Sequence, residues 1–172
     1  MSVKIGLVYM VIVVLSNYLV QFRINDWITW GAILFPIGFL LTDVINEKYG
    51  EKISIDSLRM GILFAFIPTL ILVDYRIAVA SLIAYFISQF VDIKVFVYLK
   101  QKYSNLWYLR NNVSTFISQF IDSFLFFFIA FYGNMNLKTI FTLSLGTLGI
   151  KYLIAVLDTP IFYVLTQRKK ND

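Results

Sequence analysis

Six apolar runs, each close to the length of a bilayer crossing, set the terms for this chain. A helix needs ~20 apolar residues to cross the hydrocarbon core. The runs cover about residues 5–22, 28–45, 55–73, 77–99, 113–132 and 137–166. They are continuous and lack period-two alternation, so transmembrane strands are excluded. A soluble domain of 172 residues could not hide an apolar fraction of 59% with only 15% charged residues. The expectation is an all-α membrane protein, one integral membrane domain over residues 1–172 with six transmembrane helices.

Lys4 before the first run resembles a secretory leader, but no small-x-small cleavage site follows. The run is therefore read as a retained helix. Trp27 and Trp30 suit the membrane interface at the entry to the second span. Tyr103, Trp107 and Tyr108 are expected to lie along the inner interface. The sixth run is long, so a tilt or a break at Gly146, Gly149 or Pro160 is expected. Lys4, Lys48, Lys52, Lys100, Lys102, Arg110, Arg168, Lys169 and Lys170 fall in connections or termini on one side. Arg23, Arg76 and Lys138 fall on the other. The positive-inside rule then places both termini in the cytoplasm of a cell-membrane protein.

Two absences narrow the chemistry. Without cysteine there is no disulfide, thiolate nucleophile or zinc-thiolate site. Without histidine there is no Ser-His-Asp triad or imidazole relay. No nucleophile-base pair or metal-ligand cluster is visible, so neither an enzyme nor a cofactor is expected.

Ionisable groups within spans cost at least ~2.5–3.5 kcal/mol each near a helix centre, and they line pathways or pair with one another. Asp56 and Arg59 are spaced for an intrahelical pair, and Lys94 lies near enough to its helix end to snorkel. Asp43, with Glu47 one turn further on the same face, reads equally as a structural cap or a gate. Asp92, Asp122 and Asp158 fall on three successive spans, about 10–14 Å from the inner edge at ~1.5 Å per residue. A common level for three carboxylates points to a polar chamber, against the plainer reading of structural pairing. Lys151 and Asp158 are too far apart to pair, so Lys151 is free to reach another helix's carboxylate or a substrate.

Spans four and five share a motif. Ile87-Ser88-Gln89-Phe90-Val91-Asp92 and Ile117-Ser118-Gln119-Phe120-Ile121-Asp122 differ at one position in six. Successive spans run antiparallel, so two opposed helices present the same hydroxyl, amide and carboxylate on one face. Ser114 extends the face by a turn. Serine and glutamine alone serve as interhelical glue at ~0.6 kcal/mol per contact, but two desolvated carboxylates exceed what glue requires. An internal repeat around a midplane site is common in secondary transporters.

Four blocks in this order resemble one family. They are Phe35-Pro36 through Thr42-Asp43 to Tyr49-Gly50; Ser88-Gln89-x-x-Asp92 with Val95-Phe96; Ser114-Thr115 through Asp122 to Phe128-Ile129-Ala130-Phe131; and Lys151, Ala155, Asp158-Thr159-Pro160 and Tyr163. The family is the queuosine-precursor transporters, within the vitamin uptake transporter group. The resemblance covers residues 35–163. It implies import of a deazaguanine, chiefly 7-cyano-7-deazaguanine (preQ0) or its aminomethyl counterpart, the precursor of queuosine in tRNA. It also implies a secondary carrier with no nucleic-acid contact and no ATPase partner; a homodimer is left open.

A carboxylate can accept the ring N–H and exocyclic amine of such a base together, and Gln89, Gln119 or Lys151 can serve its carbonyl. Phe90, Phe96, Phe120 and Tyr163 offer aromatic faces. Asp122 or Asp158 is the expected base-edge acceptor, and a remaining aspartate would carry a coupling proton. The candidate site is thus Asp43, Ser88, Gln89, Asp92, Ser118, Gln119, Asp122, Lys151 and Asp158. Two rivals remain, a substrate-binding subunit of an energy-coupling-factor transporter and a membrane scaffold without transport activity.

Overall fold

The structure, a computed structural model, describes residues 1–22, 24 and 30–167. The expectations for Arg23, Trp27, the start of the second span and the basic tail Arg168, Lys169 and Lys170 lie outside the described residues. Six helices follow in order: α1 (Ser2–Leu19), α2 (Trp30–Tyr49), α3 (Glu51–Leu72), α4 (Tyr75–Lys102), α5 (Trp107–Phe131) and α6 (Leu137–Thr166). All six are long and apolar enough to cross a membrane.

Short connections punctuate the chain where the backbone must reverse. Gly50, at φ 83°, separates α2 from α3, and its open surroundings show that backbone conformation alone demands glycine there. Asp74 caps α4 by accepting from Arg76 N at 3.0 Å. Asn136 caps α6 by accepting from Thr139 N at 2.8 Å.

α2 is the central helix, packed against α1, α3, α4 and α6. The α4–α5 hairpin forms one wall and α1–α3 another, with α6 lying across α2 and α5. α1 and α3 approach closely through small residues. A Cβ on Gly6 would lie 2.7 Å from Met60 Cβ, and one on Gly61 would collide with Tyr9 Cβ. Tyr9, Val13, Phe35, Phe39, Leu58 and Tyr85 form the apolar core beside this contact.

The start of α5 departs furthest from the hydropathy reading, while α6 keeps the expected bounds. α5 begins at Trp107, because Trp107 stacks on Phe162 (centroids 6.2 Å apart) and contacts Tyr163 (5.1 Å). Trp107 is therefore a helix–helix contact. Arg110 consequently lies inside a helix, 2% exposed, and not in a connection. α6 runs unbroken through Gly146, Gly149 and Pro160 for 30 residues, or about 45 Å. That exceeds a hydrocarbon core of ~30 Å, so tilt or protrusion takes up the excess.

Gly61→Leu should lower the thermal midpoint in detergent, in keeping with the ~1–3 kcal/mol typical of overpacking. Gly149→Ala, where an added Cβ meets nothing within 4 Å, should leave the midpoint unchanged or raised. Equal midpoints for Gly61→Leu and the wild type would show that the α1–α3 approach is not tight.

Candidate functional site

The polar residues of the bundle fall on stripes that face inward. On α5 the buried stripe is Arg110, Asn111, Ser114, Thr115, Ser118, Gln119, Asp122 and Ser123. Its spacing returns to one helical face every turn. Ile117, Phe120 and Phe128 lie on exposed faces of the same helix. α2 contributes Thr42, Asp43, Asn46 and Glu47, and α4 contributes Ser81, Tyr85, Ser88, Gln89 and Asp92. In hydrocarbon such stripes are stable only against one another.

The repeated motif closes on itself. Ser88 Oγ of α4 donates to Asp122 Oδ1 of α5 at 3.2 Å. Ser118 Oγ of α5 donates to Asp92 Oδ1 of α4, also at 3.2 Å. Asn105, in the turn between the helices, is equidistant in sequence from both bonded pairs. Each copy's serine thus serves the other copy's aspartate, which fixes the antiparallel register of the hairpin.

The two aspartates differ in what balances their charge. Asp122 Oδ2 accepts from Lys151 Nζ of α6 at 2.6 Å, with both side chains buried. The ammonium also lies 5.0 Å from the centroid of the Phe35 ring. Asp92 instead meets the carboxyl group of Asp43, within hydrogen-bonding reach. Asp43 Oδ2 accepts from Thr115 Oγ1 at 3.2 Å. Thr42, beside Asp43, joins Tyr9 of α1 (2.8 Å) to the Gln89 side-chain oxygen by a short contact.

A third charged group closes the end of the bundle where α2 meets α3 and α4 meets α5. Glu47, whose side chain is 1% exposed, receives Arg110 Nη2 at 3.2 Å and Lys100 Nζ at 3.0 Å. Gln167, just past α6, reaches the same carboxylate at 3.4 Å. Arg110 also sits over Phe96. Hydropathy alone assigns Arg110 to a loop. Its spacing from Asn111, Ser114 and Thr115 was the available sign that it continues a buried stripe.

Several polar atoms in this interior have no partner among the described residues. Both amide atoms of Gln119 are unpartnered although the residue is fully buried. Gln89 Nε2, Tyr85 Oη and Ser123 Oγ are unpartnered as well. Lys151 Nζ, with three donors, has one protein acceptor, Asp122. Such atoms are costly unless something else fills the site.

The structure thus places Asp43, Ser88, Gln89, Asp92, Ser118, Asp122 and Lys151 in three neighbouring hydrogen-bonded groups, with Gln119 one turn from Asp122 on the same face. Asp158 does not join them. It is half-buried on α6 and makes no hydrogen bond or ion pair among the described residues. It lies on the same face of α6 as the buried Lys151, Ala155 and Phe162, but the carboxyl group that meets Asp92 is Asp43. Asp56 and Arg59 form no pair with each other, because both are at least partly exposed and lack the desolvation that would favour one. Lys94 instead reaches Glu51 at 2.5 Å near the membrane edge. Phe120 is exposed on the outer face and Phe96 is held by Phe162, and the ring that the Lys151 ammonium faces is Phe35.

Six membrane-crossing helices around a buried, partly unsatisfied polar interior define a multi-pass membrane protein of transporter type. Residues 29–75 and 69–165 match the family described as "Putative vitamin uptake transporter", and the chain belongs to that family. It is similar to the "Queuosine precursor transporter" of Escherichia coli (strain K12), 31% identical over 156 residues, covering 74% of this chain and 67% of the relative. It is also similar to the "Probable queuosine precursor transporter" of Bacillus subtilis (strain 168), 26% identical, covering 84% of this chain and 74% of the relative. A Haemophilus influenzae protein with the same description is 28% identical, over 70% of this chain and 66% of its own length. No solved structure gives a significant match.

Arg110→Gln should destabilise the protein by about 3–5 kcal/mol, as expected when one partner of a buried ion pair is removed. Lys100→Gln, whose side chain is 37% exposed, should cost only about 0–1 kcal/mol. Denaturation of the two variants in detergent checks the contrast. Equal losses would mean that Glu47 is not held chiefly by Arg110.

Proposed function

We propose that this chain is a carrier that imports a deazaguanine precursor of queuosine, 7-cyano-7-deazaguanine or its aminomethyl form, coupled to a proton. The observation that carries this reading is Gln119: a fully buried amide with neither atom partnered, one turn from a buried carboxylate–ammonium pair. The relatives' names supply the substrate class.

The chemistry suits a guanine-like base. The ring N–H and exocyclic amine are adjacent donors, and the carbonyl is an acceptor beside them. Lys151 has donors to spare for the carbonyl while it keeps Asp122. Gln119 offers an acceptor and two donors to the same edge, and Gln89 Nε2 and Tyr85 Oη offer further contacts. Phe35, beside Lys151, is placed to cover a flat ring. Binding in this way would satisfy atoms that the protein leaves open, so substrate replaces water without loss of hydrogen bonds.

The proposed orientation keeps both termini in the cytoplasm. Lys48, Lys52, Lys100 and Lys102 gather at the end closed by Glu47, opposite Arg76 and Lys138. The protein works in this reading without an ATPase partner, and the Glu47 cluster seals its cytoplasmic end.

Purified protein in proteoliposomes, with no ATPase present, should accumulate labelled 7-cyano-7-deazaguanine. Gln119→Leu should lose that uptake while its thermal midpoint is unchanged or raised, because it removes unpartnered polar atoms. Wild-type uptake by Gln119→Leu would remove the amide from the site. Binding without uptake by the wild type would favour a capture subunit, and no binding at all would favour a scaffold.

A further inference from the structure

Asp43 on α2 and Asp92 on α4 are 1% and 0% exposed, and their carboxyl groups face each other. One oxygen of each is already used, Asp43 Oδ2 by Thr115 and Asp92 Oδ1 by Ser118. The remaining oxygens, Asp43 Oδ1 and Asp92 Oδ2, have no donor at full hydrogen-bonding distance among the described residues, although the Ser114 hydroxyl of α5 stands beside Asp92. Two carboxylates offer only acceptors. Side by side in a buried site, two negative charges repel strongly.

Among the described residues, no cation of the surrounding helices compensates them. α1 presents Tyr9, which reaches the pair only through Thr42. α2 adds a further carboxylate, Glu47, and α4 adds Tyr85. On α5, Arg110 is committed to Glu47, and Asp122 is held by Lys151 of α6. Among the described residues nothing compensates the pair, and a proton is the smallest cation that two facing carboxyl groups can share.

We propose that Asp43 and Asp92 form a proton-binding site, with one proton held between Asp43 Oδ1 and Asp92 Oδ2. Resting on the carrier reading above, this is the site of its coupling proton. It separates two roles that the sequence leaves joined. The Asp122–Lys151–Gln119 group takes the base, and the Asp43–Asp92 pair takes the proton.

The crossed serine–aspartate bonds link the two sites. Ser118 holds Asp92 and Ser88 holds Asp122 across the same α4–α5 interface, so a shift between these helices disturbs both. Release is balanced simply: the O–H bond of the pair breaks and water takes the proton. Two adjacent carboxylates are left behind, and their repulsion drives α2 from α4.

The test uses the full chain in proteoliposomes and single Asp43→Asn and Asp92→Asn variants. Asparagine supplies an N–H to the facing carboxylate and so mimics a permanently occupied site. Each variant should lose accumulation driven by a proton gradient while keeping exchange of labelled for unlabelled 7-cyano-7-deazaguanine. Accumulation at the wild-type level by either variant overturns the assignment, as does wild-type accumulation driven by sodium in place of protons. Should neither variant fold, infrared spectroscopy of the wild type decides. A protonated-carboxyl stretch at neutral pH supports the pair, and its absence overturns it. A wild type that neither binds nor exchanges the base would instead refute the carrier reading itself.

Discussion

A charge buried in hydrocarbon has to meet its counter-charge within the protein, and that requirement organises this bundle. Two buried carboxylates meet it with side-chain cations, and a third group, a facing pair of carboxyls, does not. Asp122 is balanced by Lys151 across α5 and α6. Glu47 is balanced by Arg110 and Lys100 across α2, α5 and α4. Asp43 and Asp92 face each other across α2 and α4. Between them these contacts fix which face of each helix points inward. Lipid cannot do so, because hydrocarbon is indifferent to which apolar residue it touches.

The six crossings are legible in the sequence because spanning depends on run length and hydropathy, both local properties. Helix ends are less so. Hydropathy treats a polar residue as an exit from the membrane, yet Asn46, Glu47, Asn111 and Arg110 remain in helix because partners on other helices satisfy or shield them. The Ser-Gln-Phe-x-Asp echo could be read as a shared face, and the shared face exists. That each serine would bond the other copy's aspartate needed the hairpin register. Asp158 shows the converse. It shares the buried face of α6 with Lys151, Ala155 and Phe162, yet depth and face do not fix which helix a side chain meets, and Asp43 of α2 is the residue that reaches Asp92.

Satisfied and unsatisfied polar groups carry different information here. Thr42, Ser88 and Ser118 share their hydroxyls between a carbonyl of their own helix and a group on a neighbouring one, Thr115 bonds across to Asp43, and all four can be explained as structure. Gln119 cannot, since burying its amide without partners only costs stability. Charge and unsatisfied hydrogen bonding thus meet around Asp122 and Lys151, within helices whose family relatives are named as transporters.

The central claim is that this interior carries a queuosine precursor across a membrane. Its most direct test is the tRNA of cells that can neither make nor import the precursor, given this chain and external 7-cyano-7-deazaguanine. The account predicts that queuosine reappears in tRNA when the chain is expressed. Queuosine-free tRNA in cells whose membranes demonstrably contain the folded protein would contradict it.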